Sequence, residues 1–154
     1  VLGISPWEVA SFDTEAGFTK RVLSDPAQRD GGRGVAAWES RVLMCRLSAL
    51  ECWEGESPEA LRLLGSTPLP SQACGLLTWD GSRAVVTCRE TGQVTFAETD
   101  SADGIRVVKT TTLQGYPGRA VIQGGLVVIP CGYSGLATLR WEDIALLSDA
   151  TGRG

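Results

Sequence analysis

The chain has 154 residues, enough for one domain with a real core, and its 14 basic and 18 acidic side chains leave a formal net charge of −4. Phosphate binding needs clustered Lys and Arg, whereas Arg21, Arg41, Arg62, Arg83, Arg106 and Arg119 are scattered singly and read as a solvated surface, so a nucleic-acid interface is excluded. Histidine is absent, which rules out a Ser-His-Asp triad or a Cys-His pair within the chain, and no apolar run approaches the roughly 20 residues of a membrane-spanning helix.

Nineteen glycines and seven prolines punctuate short Val- and Thr-rich runs, the pattern of an all-β chain with frequent turns. In chain order, residues 7–12 and 18–23 read as two strands. Four follow at 34–39, 41–46, 50–54 and 60–65, and four more at 74–79, 83–89, 93–98 and 105–112. The last group is 119–123, 126–131 and 135–141, with 144–147 a weaker fourth member. Asp80-Gly81-Ser82 and Thr91-Gly92 sit between β-branched runs as hairpin turns, because glycine accepts the positive φ such turns require. Only 59–64 and 141–147 have the spacing of short helical turns.

Self-similarity organises these strands. Cys45, Cys88 and Cys131 recur every 43 residues, and the residues around them match. The same spacing links Ser5, Ser48, Thr91 and Ser134, followed by Pro6, Ala49, Gly92 and Gly135. Four hairpin-linked strands in about 43 residues make one blade of a β-propeller. The expected fold is therefore an all-β partial β-propeller of about three and a half four-stranded antiparallel blades. Residues 1–25 form the second half of blade one, 34–66 blade two, 74–113 blade three and 119–148 an incomplete blade four. A closed propeller typically takes four to eight blades, so this chain is expected to need a protein partner. That partner is a second copy or a complementary cleaved fragment; the Ala150-Thr-Gly-Arg-Gly154 end reads as made by cutting, which favours the fragment.

The stretch Gly125-Leu-Val-Val-Ile-Pro-Cys-Gly-Tyr-Ser-Gly-Leu-Ala-Thr-Leu139 resembles the bacterial LVIVD-type propeller repeat, and the likeness extends more loosely over residues 34–141. The aspartate that usually closes the third strand of that repeat is displaced here to Asp100 and Asp143, and blade two has Ala49-Leu50 where Gly-Leu is the rule. The resemblance implies a propeller fold and a secreted or cell-envelope setting. It carries over no catalytic residue.

Among candidate sites the cysteines come first. Cys45, Cys88 and Cys131 at one blade position would be held apart by sheets packed about 10 Å from one another, too far for zinc ligation at about 2.3 Å. Each is expected to act as a small buried hydrophobe between blades. A two-residue turn at Ser48-Ala49 would set Cys45 opposite Cys52, where a disulfide is conceivable, while Cys74 could meet a thiol in a second chain. Five cysteines leave at least one unbridged within the chain. The carboxylate pairs Glu51/Glu54, Glu98/Asp100 and Glu142/Asp143 read as a solvated rim rather than the two acids of a glycosidase. The loop at Asp100 and Asp103 lacks the alternating ligands of a calcium site. Trp38, Trp79, Trp53 and Trp141 recur as packing residues, and Trp7, after Pro6, is the candidate partner contact. No catalytic, metal or cofactor-binding residue is expected. The function expected is a non-catalytic structural or protein-binding propeller segment of an extracellular or envelope assembly. The alternative is part of an enzyme or ligand-binding protein whose active residues lie in other blades.

Overall fold

The computed structural model describes residues 2–4, 9–13, 15, 19–22, 32–56, 60–70, 75–100 and 104–147. Their strands fall into four antiparallel sheets in which every hydrogen-bonded neighbour is also a sequence neighbour. Blade one comprises β1 (Leu2–Ile4), β2 (Val9–Asp13) and β3 (Thr19–Val22), and blade two β4 (Gly32–Trp38), β5 (Arg41–Arg46), β6 (Ala49–Glu54) and β7 (Arg62–Pro68). Blade three holds β8 (Leu76–Trp79), β9 (Arg83–Thr87), β10 (Gln93–Glu98) and β11 (Arg106–Thr112). Blade four holds β12 (Val121–Gln123), β13 (Leu126–Pro130) and β14 (Leu136–Arg140). The chain is an all-β partial propeller, as the repeat implies.

Two elements differ from the sequence expectation. Blade one has three described strands instead of two, because the short run Leu2-Gly-Ile pairs with β2. In blade four, residues 144–147 are not a strand: Trp141–Leu146 winds into 3-10 turns. With three residues per turn, Trp141, Ile144 and Leu147 share one side, and all three pack into the core there. Glu142 and Asp143 occupy the first turn, where the helix dipole favours negative charge.

The core consists of layers between blades. From blade two, Leu43, Cys45, Leu50 and Cys52 meet Leu77, Ala84, Val86 and Cys88 of blade three. On the far side of blade three, Val85, Val94 and Phe96 meet Val127, Ile129 and Cys131 of blade four, with Ile144. Side chains alternate across each strand, so β9 feeds both layers at once. The first strands lie innermost: β4 runs beside β8, and β8 beside β12. Their backbones nearly touch, since a Cβ on Gly34 would sit 2.5 Å from the Gly75 carbonyl oxygen. Polar pins complete the axis. Thr78 Oγ1 donates to the Ala120 carbonyl at 2.7 Å, and Arg119 Nη1 to that of Leu77 at 2.8 Å.

Candidate functional site

The rim where first strands turn into second strands carries a repeated charge pattern. In blade two, Arg41 of β5 pairs across the ladder with Glu54 of β6, which pairs with Arg62 of β7. In blade three the same rung is Arg83, Glu98 and Arg106. Each carboxylate is clasped by its outer arginine eight residues on: Arg62 Nη2 lies 2.9 Å from Glu54, and Arg106 contacts Glu98 in the same way. In blade four the rung reads Leu126 and Arg140, so a cation stands where the other blades have a carboxylate.

Each rung also reaches the following blade. Arg41 Nη1 donates to the Thr99 carbonyl of blade three at 3.3 Å, and Trp141 Nε1 of blade four donates to Glu98 Oε1 at 3.1 Å. The Trp141 hydrogen bond, ahead of the Arg106 contact, holds the Glu98 carboxyl below its ordinary range against the opposing effect of partial burial. Arg83 is fixed by Asp80 through Nε at 2.9 Å and Nη2 at 2.8 Å, and its guanidinium lies 5.8 Å from the centre of the Trp141 ring. Beyond that ring, Phe96 meets Trp141 edge-on at 6.0 Å.

Between blades three and four, Arg83 and Trp141 line a groove of about 490 Å³ together with Gly124, Gly125, Leu126, Arg140 and Glu142. A similar groove of about 440 Å³ lies between blades two and three, against Trp38, Glu39, Asp80 and Asp100. The scattered arginines are thus not simply a solvated surface, because Arg41, Arg62, Arg83 and Arg106 build the rim and Arg119 pins the axis. Their regular signal, a glutamate followed by an arginine eight residues later in two blades, is present in the sequence.

The other sequence candidates separate. The β5–β6 turn is Leu47-Ser48, one residue earlier than expected, which sets Cys45 opposite Leu50 and Cys52 opposite Leu43. The directly opposed cysteine pair needed for a Cys45–Cys52 bridge is therefore not formed, and both residues are buried thiols. Burial pushes the Cys52 thiol up, with Arg41 opposing and Glu54 adding, which keeps it protonated and a poor nucleophile. Cys45 and Cys88 do not share a blade position either. Thr87 is the residue that pairs with Val94 as Cys45 pairs with Leu50, so Cys88 faces the other way and enters the same layer as Cys45. Among the described residues no group of three Cys, His, Asp or Glu is placed to hold a metal ion.

Glu51 and Glu54 point to opposite faces of β6. Glu51 forms an ion pair with Arg46, whose Nε lies 2.8 Å away, and accepts a hydrogen bond from Trp53 Nε1 at 3.0 Å. Glu142 lies 3.7 Å from Arg140 on the open surface. Trp79 is buried and donates to Thr99 Oγ1 at 3.1 Å, whereas Trp38 is 50% exposed. Trp7 and Cys74 lie outside the described residues.

No family model matches the chain, and no curated protein matches it in sequence. Solved structures do match in shape. The computationally designed Ika8 protein superposes with a TM-score of 0.58 at 12% identity, over 91% of this chain and 45% of its own. Kluyveromyces lactis Hsv2, a propeller-like structure, superposes with a TM-score of 0.50 at 7% identity, over 71% of this chain and 33% of its own. The chain thus spans less than half the length of either, and at these identities the likeness is one of fold: a set of propeller blades.

Proposed function

We propose that the chain is a non-catalytic, protein-binding segment of a β-propeller that is completed by blades from another polypeptide. One comparison carries this reading. Leu50 closes blade two against blade three, Val94 closes blade three against blade four, and Leu136 holds the same ladder position in blade four. Leu50 and Val94 are 0% exposed, while Leu136 is 69% exposed. Val121 and Leu126 are exposed on the same face, which keeps the apolar chemistry of an inter-blade layer without a blade upon it. Soluble monomers rarely leave large contiguous apolar patches open.

The rim supports the non-catalytic part. General acid–base work needs a carboxyl tuned up toward neutrality, and Glu98 is held down by its donors. The resemblance to the LVIVD-type repeat is the support for placing this segment in an extracellular or cell-envelope assembly. The second reading, a ligand-binding or enzymatic propeller whose active residues lie in other blades, draws on the groove beside Arg83, Arg140 and Trp141. Cysteine placed at position 136 tests the first reading. In native material a maleimide should label it only after urea dissociates the assembly. Immediate labelling, matching that of an exposed control, would refute coverage of this face.

A further inference from the structure

Trp38 departs from the pattern of the other described tryptophans. Trp53, Trp79 and Trp141 each donate the indole N–H to an oxygen, of Glu51, Thr99 and Glu98 respectively. Trp38 has no hydrogen-bond partner among the described residues and is 50% exposed. Its place in the ladder explains the difference. Trp38 stands opposite Arg41, whereas the residue opposite Arg83 in blade three is Asp80. An indole thus replaces, in blade two, the carboxylate that clasps the rung arginine of blade three. The ring rests on Gly81 of blade three, where a Cβ would come within 2.8 Å of both Cδ1 and Nε1, and it lines the groove of about 440 Å³ between the two blades.

We propose that this groove binds an arginine side chain carried by an exposed segment of a partner protein. The proposal deepens the protein-binding part of the reading above and rests on it. Tryptophan offers a cation the best of the aromatic faces, and a planar guanidinium stacks on it while its edge donates to carboxylates. The groove supplies them, because its lining sets Arg41 against Glu39, Glu54, Asp80 and Asp100. Arg41 is engaged by Glu54 and the Thr99 carbonyl, Glu54 is also held by Arg62, and Asp80 is held by Arg83. Glu39 and Asp100 are exposed and form no ion pair among the described residues, which leaves two carboxylates near the indole for an incoming cation. An anionic occupant would meet that excess of negative charge. The neighbouring groove, with Arg83 and Arg140 against Glu142, has the opposite balance, so the two rim grooves differ in what they accept.

Isothermal titration calorimetry of acetyl-Gly-Arg-Gly-amide into the protein in its native assembly tests the site. The expected result is saturable binding that acetyl-Gly-Glu-Gly-amide does not show. Trp38→Leu should weaken it by about fivefold or more, and Trp38→Phe, which keeps an aromatic face, by less. Glu39→Gln combined with Asp100→Asn changes only exposed side chains and should weaken it by about threefold or more. Glu90→Gln, in the exposed turn before β10, should leave it unchanged. Absence of binding by the arginine peptide, equal binding by the wild type and both groove variants, or binding of cellotriose in its place would overturn the arginine site. Labelling at position 136 reads the coverage of blade four separately, so failure of this site and failure of the completed-propeller reading are told apart.

Discussion

Leu50 and Leu136 hold equivalent ladder positions in blades two and four, one under the next blade and one open, so truncating each separates intra-chain from inter-chain burial. Leu→Ala removes three carbon atoms, about 2.4 kcal/mol at about 0.8 kcal/mol per methylene-sized group. At Leu50, packed against Leu43 and Cys52 and facing blade three, the surroundings collapse only partly, and a cavity contribution brings the expected loss to about 3 kcal/mol. At Leu136 an uncovered chain would lose less than about 0.5 kcal/mol. Covered by another blade, the same change should approach the Leu50 value, and its effect should depend on protein concentration because association is what buries the side chain. Urea unfolding followed by tryptophan fluorescence, at two widely separated protein concentrations, measures both. Leu50→Ala should lower the midpoint equally at each concentration. A Leu136→Ala loss that stays below about 0.5 kcal/mol in the assembled protein would refute the claim that this face is buried.

Gly92 and Gly135 have φ of +74° and +82°, and a Cβ on Gly92 would lie 2.7 Å from the Leu113 carbonyl oxygen. Valine at either should cost about 1 kcal/mol or more in thermal unfolding, and no loss at both would show the turns to be misplaced. Because the Glu98 carboxyl is held low, its contribution is complete above the unfolded-chain value near pH 4.3 and fades as pH falls through the folded value. Glu98→Gln should then remove about 1 kcal/mol or less at pH 7, solvent screening keeping the effect small, and soften acid destabilisation below about pH 4. Unchanged acid sensitivity would contradict the rim network. Cys88→Ala should lower the melting temperature modestly and leave metal content untouched; stoichiometric zinc lost on that change would overturn the packing role of this thiol.

The blade grammar was legible in the sequence because its period is long and its turns are marked by Asp-Gly and Thr-Gly. Register was not. Moving the β5–β6 turn from Ser48-Ala49 to Leu47-Ser48 shifts every partner by two, which separates Cys45 from Cys52. The first hairpins of blades two and three have the same two-residue loop, but the arginines of their equivalent rungs, Arg41 opposite Glu54 and Arg83 opposite Glu98, lie 42 residues apart. A constant 43-residue spacing therefore lands Cys45 and Cys88 on opposite faces of their blades, since one residue of slip reverses a strand. The rim was missed for a different reason: its arginines are far apart in sequence and meet only through ladder pairing, as at Arg83 and Glu98. Blade four's 3-10 turns were visible as the three-residue spacing of Trp141, Ile144 and Leu147, a period that an alternating strand does not share.

A crystal structure of the chain purified in its native assembly is the most direct measurement of whether blade four continues into a further blade. The expected result is an antiparallel sheet from another polypeptide packed over Val121, Val128 and Leu136, with β12 beside its innermost strand. A structure in which those three side chains face solvent, or in which blade four closes onto blade one of the same chain, would contradict the account.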